Sequence, residues 1–277
     1  MISLASLYHD LVSPRFHVNR GEALDSACVG VTLAAACGIF VFERYERRRY
    51  KPNQNQKKFL FWGLICLTAF VTCAGAVAVT RSGPLTFAAA AGFLTFGANV
   101  VIRRFNLGRF GAAAIGITAV IIGATLVKIM ATDSDPRFAF ARKAEAAVEI
   151  TKRILADAPL FGDGAGTFGA LARLYRSSGD GLNDIGAVTA AAQFSIEMGR
   201  APLWIAVMTA SFAVYVLLRG AAQRGRDSSY AAGAGACIVT LIILAFVNTG
   251  LAGQGVNVLS ALVFGLGLAQ SKSRVLG

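Results

Sequence analysis

Four glycines fall within eight residues in Pro159-Leu-Phe-Gly-Asp-Gly-Ala-Gly-Thr-Phe-Gly169. Glycines at this density serve positive φ angles or close backbone approach. The segment matches the dinucleotide pattern G-x-G-x-x-G over 164–169, but no strand precedes it and no βαβ unit surrounds it. A phosphate-binding Walker A loop also fails, because no Gly-Lys-Ser/Thr follows. The reading that remains is a glycine-rich turn opening a short helix over 167–176, with Arg173 and Arg176 one turn apart on a shared face. Successive N–H groups at such a helix start can hold an anion. The plainer alternative is a simple turn with two solvated arginines. Asp180, Asp184 and Glu197 are carboxylates further along the same loop. The two histidines, His9 and His17, and the five cysteines form no metal-ligand spacing. No metal or other cofactor is expected.

These residues must be positioned by a chain of unusual composition. Of 277 residues, 55% are hydrophobic and only 15% charged, with a mean hydropathy of +0.59. Soluble domains run at about 45–50% apolar and about 25% charged. Apolar runs that approach a bilayer span need about 17–25 residues. Seven candidates occur, over 26–42, 59–80, 84–102, 110–130, 202–218, 231–248 and 256–270. In lipid the backbone must satisfy its own hydrogen bonds, so these are helices. The expected fold is all-α: a polytopic transmembrane bundle of about seven helices with one large outer helical loop. The expected divisions are an outer segment 1–25, four spans in 26–130, the loop 131–200, three spans in 201–270 and a tail 271–277. Within the loop, Ala144, Ala147, Val148, Thr151, Ile154 and Leu155 recur at helical spacing among charges. That predicts an amphipathic helix over 137–157, ended by Pro159, lying along the membrane surface or against the bundle.

The net charge of +12 then has a location. The segments 43–58, 103–109, 219–230 and 271–277 carry Arg44, Arg47, Arg48, Arg49, Lys51, Lys57, Lys58, Arg103, Arg104, Arg109, Arg219, Arg224, Arg226, Lys272 and Arg274 against Glu43, Glu46 and Asp227. They account for the whole excess. The positive-inside rule puts them in the cytoplasm, with the N-terminus outside and the C-terminus inside. Basic residues so placed serve topology and contact with membrane lipids rather than nucleic acid. Arg81, in the short outer turn 81–83, is a lone cation on the opposite side.

The same residues resemble a known family, the O-antigen ligases and polysaccharide polymerases of bacterial inner membranes. Ala158-Pro-Leu-Phe-Gly-Asp-Gly-Ala-Gly-Thr-Phe168 is similar to the family's Pro-Leu-x-Gly-x-Gly-x-Gly-x-Phe loop element. Glu197-Met-Gly199 resembles its Glu-x-Gly. Thr80-Arg-Ser-Gly83 resembles its Thr-x-Ser-Arg turn with Arg and Ser reordered, and Phe16-His-Val-Asn-Arg20 resembles its Phe-x-Asn-x-Asn. The resemblance spans about residues 14–270 and corresponds to the C-terminal part of a member. It implies transfer or polymerisation of glycan from undecaprenyl pyrophosphate onto a glycan or lipid acceptor at the periplasmic face, without metal. It implies pyrophosphate binding by Arg81, Arg20, Arg173 and Arg176, with Pro159, Gly162, Gly164 and Gly166 shaping the loop. The family's loop histidine is missing. Val188 and Thr189 stand at its position, leaving Glu197, Asp184 and Asp180 as candidate bases. The chain also has fewer helices than the family. The alternative is therefore a truncated or non-catalytic member acting as a membrane-embedded partner in polysaccharide assembly. A cytoplasm-active reporter fused after residue 50 and a periplasm-active reporter fused after residue 165 should both be active; a reversed pattern would overturn the orientation.

Overall fold

The structure is a computed structural model that describes residues 20–49, 56–104, 145–175, 188–223, 228–252 and 254–272. The described residues form nine α-helices: α1 (Arg20–Arg49), α2 (Gln56–Val79), α3 (Gly83–Arg104), α4 (Glu145–Asp157), α5 (Phe168–Leu174), α6 (Ala190–Glu197), α7 (Arg200–Gln223), α8 (Ser228–Val247) and α9 (Gln254–Lys272). A single 3-10 turn, Gly250–Ala252, joins the last two. Among the described residues, five helices are long and apolar enough to cross a membrane, and α9 contains a shorter apolar stretch, Val256–Ala269. The molecule is thus a helical, multi-pass membrane bundle. The expected span 110–130 and the first part of the expected loop helix, 137–144, lie outside the described residues.

Helix α8 is the centre. Its membrane window is 72% buried, against 11% for α2 and 17% for α7. Helices α1, α3, α7 and α9 all pack on it. Its first half reads Ala231-Ala-Gly-Ala-Gly-Ala-Cys237, and small residues let neighbouring backbones approach. A Cβ on Gly233 would stand 2.7 Å from Ala36 Cβ of α1, and one on Gly267 of α9 would stand 2.5 Å from Ala234 Cβ. A Cβ on Gly92 of α3 would collide with the Thr240 hydroxyl and come within 2.8 Å of Thr32 Oγ1. Those two hydroxyls lie 3.4 Å apart, inside the bundle. Cys28, Cys73 and Cys237 are buried with free thiols and act as small packing residues.

Helix α1 begins at Arg20 rather than at the apolar run, and so takes in Asp25, which is fully buried. Its Oδ1 accepts a hydrogen bond of 3.1 Å from Asn248 Nδ2, at the end of α8. A carboxylate at a helix depth this apolar is tolerated only with such a partner. The Cys28 thiol, one turn on, donates to the Leu85 carbonyl at the start of α3 at 3.7 Å. The Arg20 end of α1, the 80–82 turn and the 248–252 segment therefore share one end of the bundle, called here the loop face.

Replacing Gly92 by Val should weaken the bundle by about 1–3 kcal/mol, the usual cost of overpacking a fitted interior. The readout is unfolding in detergent, with Gly97→Val as the control, since nothing lies within 4 Å of a Cβ at Gly97.

Candidate functional site

Three short helices build a small unit on the loop face. Helix α4 has its apolar side, Ala147, Ile150, Ile154 and Leu155, buried against Phe168 and Ala172 of α5 and Ala192 and Ile196 of α6. Lys152 and Arg153 point outward, and Arg153 pairs with Glu149 at 3.2 Å. The amphipathic pattern is therefore used against protein. Helix α6 starts at Thr189, whose side chain caps it by accepting from Ala192 N at 3.2 Å. The Ala190 N–H donates to the Asn248 carbonyl at 2.9 Å, so α6 hangs from the end of α8. Tyr175, closing α5, donates through its hydroxyl to Asp157 Oδ2 at 2.6 Å. That bond, with the nearby carboxylate charge, raises the Tyr175 pKa.

The glycine-rich turn 158–167 lies directly against the turn between α6 and α7. Asp163 N donates to Ile196 O at 3.0 Å, and Gly164 N donates to Glu197 O at 2.9 Å. Ala201 N donates back to Leu160 O at 3.4 Å. The approach leaves no room for side chains at two places. Gly162 has φ +73°, and its Cβ would stand 2.5 Å from both Glu197 O and Gly199 N. Gly199 has φ +103°, and its Cβ would collide with Leu160 O and lie 2.6 Å from Phe161 Cα. Each glycine thus makes space for the backbone of the opposite turn. Arg200, the first residue of α7, completes the clamp by donating from Nη2 to the Leu155 carbonyl near the end of α4.

The residues named from the sequence separate into groups. Pro159, Gly162, Gly164, Gly166 and Glu197 come together in the clamp. Glu197 is half-buried, and its Oε1 accepts from Gln193 Nε2 at 3.1 Å. Arg173 is exposed in the last turn of α5, at the edge of the same unit. Arg81 is exposed in the α2–α3 turn and has φ +47°. A side chain held in that left-handed region costs about 1–2 kcal/mol, and such strain concentrates at functional turns. Its helices pack on α1 and α8 rather than on the α4–α6 unit. Arg20 opens α1 at the same face. Arg176, Asp180 and Asp184 lie outside the described residues.

Beside the clamp, a groove of about 670 Å³ runs down between α6, α7, α8 and α9. Its walls are apolar, including Phe194, Leu203, Ile242 and Phe264, while Glu197 and Asn257 supply polar groups. A groove with apolar walls and a few polar groups suits an apolar ligand with a polar end. Among the described residues, no group of His, Cys, Asp and Glu could hold a metal ion. Sequence reasoning missed Asp25, Asn248, Gln193 and Arg200. Only Arg200 carried a local signal, as a cation placed directly between a glycine and a span.

Compared with known proteins, the chain matches no family model, no curated protein and no solved structure.

Gly162→Ala should loosen the clamp far more than Gly166→Ala. Both have positive φ, but a Cβ at Gly166 meets nothing within 4 Å. The Gly166 variant should cost about 1–2 kcal/mol of local stability. The Gly162 variant adds backbone collision and should raise amide exchange across 158–167 strongly. Equal exchange in the two would sink the clamp as a rigid element.

Proposed function

We propose that this protein is an O-antigen ligase-like membrane protein of cell-surface polysaccharide assembly. In this reading it transfers or polymerises glycan from undecaprenyl pyrophosphate at the periplasmic face of a bacterial inner membrane. One observation carries it. The glycine-rich element and Glu197-Met-Gly199, two of the segments that resemble the ligase family, are folded onto each other by reciprocal backbone hydrogen bonds. They do so at the mouth of an apolar groove, which suits the prenyl chain of such a donor.

The chemistry follows from the residue types. An acceptor sugar hydroxyl attacks the anomeric carbon of the lipid-linked glycan. The new glycosidic bond forms as the bond to pyrophosphate breaks, and the hydroxyl proton passes to a base. Glu197 is the candidate base within the described residues, with Asp180 and Asp184 the others named by the sequence. Charge collects on the departing pyrophosphate, where guanidinium groups are the best fixed partners. Arg81, Arg173, Arg176 and Arg20 are the proposed donors. No metal or cofactor is assigned. The strongly basic opposite face would lie in the cytoplasm.

A second reading is favoured by one feature. The Glu197 carboxylate is engaged by Gln193, and the loop 131–200 has no histidine to replace it. In that reading the chain is a non-catalytic, membrane-embedded partner of another assembly protein.

Surface polysaccharide separates the two. A deletion strain complemented with Arg81→Ala or Arg176→Ala should lose glycan transfer by about 100-fold or more if the arginines stabilise the leaving group. Deletion that changes glycan chain length, with both Ala variants fully active, would support the partner. Deletion without any effect on surface polysaccharide would reject both.

A further inference from the structure

The loop unit turns the apolar side of its amphipathic helix inward, yet it leaves two consecutive large apolar side chains outside. Leu160 is 67% exposed and Phe161 is 79% exposed. They belong to none of the buried clusters. Their level is fixed by the clamp. The Leu160 carbonyl accepts from Ala201 N, and Gly199 packs on the Phe161 backbone. Both residues therefore sit at the first turn of α7.

Helix α7 is one of the membrane-crossing helices. Ala201, Ile205, Met208 and Phe212 recur along one face at helical spacing. Ile205, Met208 and Phe212 are 65%, 71% and 67% exposed, which is the signature of a lipid-facing stripe in a bundle of this kind. Leu160 and Phe161 are exposed at the level where that stripe ends, beside the first turn of the helix. Met198, just before α7, and Trp204, in its first turns, are also exposed, and tryptophan at such a level belongs to the aromatic belt. The Arg200 side chain does not break the apolar surface, because its guanidinium turns to the Leu155 carbonyl. Several exposed apolar side chains gathered at one depth mark a membrane contact.

We propose that Leu160 and Phe161 insert into the interfacial layer of the bilayer and pin the glycine-rich turn to the membrane surface. The partner is the lipid bilayer itself. The anchor holds the clamp and the groove mouth at the boundary between headgroups and chains. It stands independently of any glycan chemistry.

The test uses the full chain in phosphatidylcholine vesicles. Its two native tryptophans, Trp62 and Trp204, are replaced by Phe, and Phe161→Trp supplies the only fluorophore. The expected result is blue-shifted emission, largely lost when the lipids are brominated on the upper acyl chain and little affected by acrylamide in the water. A chain retaining only Trp204 is the positive control. Leu160→Trp is the second variant and should respond in the same way, so that a folding defect in one does not decide the matter. Red-shifted emission quenched by acrylamide and not by bromine would overturn the proposal. So would emission that is blue-shifted but insensitive to both quenchers, since protein would then be covering the pair.

Discussion

The structure depends on how closely backbones can approach α8. Lipid tails are as apolar as the helix surfaces, so helices in a membrane gain little from hydrophobicity alone and associate through packing and polar contacts. Helix α8 offers a run of Ala and Gly on all sides, and its neighbours answer with Ala36, Gly92 and Gly267. The result is a central helix that is largely covered while α2 and α7 face outward. The Thr32–Thr240 contact adds a polar tie where the helices are closest.

Asn248 passes part of that rigidity to the loop face. It follows the last turn of α8 and bonds to both neighbouring helices. Its Nδ2 donates to Asp25 of α1, its Oδ1 accepts from Thr249 N, and its carbonyl accepts from Ala190 N of α6. The small α4–α6 unit is therefore suspended from the most buried helix rather than floating above the bundle. The clamp and Arg200 secure its other side. Arg200 also lies favourably, a cation at the negative end of the α4 dipole.

Much of the fold was legible because the physics was local. Hydropathy alone reveals the apolar runs, and Pro159 stops the loop helix as its ring and missing N–H require. The glycines of 162–166 announce unusual φ angles, and they have them. What stayed hidden was non-local. Asp25 reads as the edge of an apolar run until Asn248, far along the chain, is seen to bond its Oδ1. The amphipathic pattern of α4 says that one face is buried but not whether lipid, bundle or loop buries it. Glu197-Met-Gly199 and the glycine-rich turn could be recognised as motifs, yet their spacing says nothing of the bonds between their backbones. Arg200 resembled any interfacial charge until its carbonyl partner was located.

The interlocked glycines have a consequence for how this sequence can drift. A side chain at Gly162 would need the volume of the Glu197–Gly199 backbone, and one at Gly199 that of the Leu160–Phe161 backbone. Neither position can gain a side chain while the other turn keeps its present course. A lineage that replaced one would have to rebuild both turns together, or abandon the arrangement. Among distant descendants, Gly162 and Gly199 should therefore be inherited as a unit, present together or lost together, while Gly166 varies on its own.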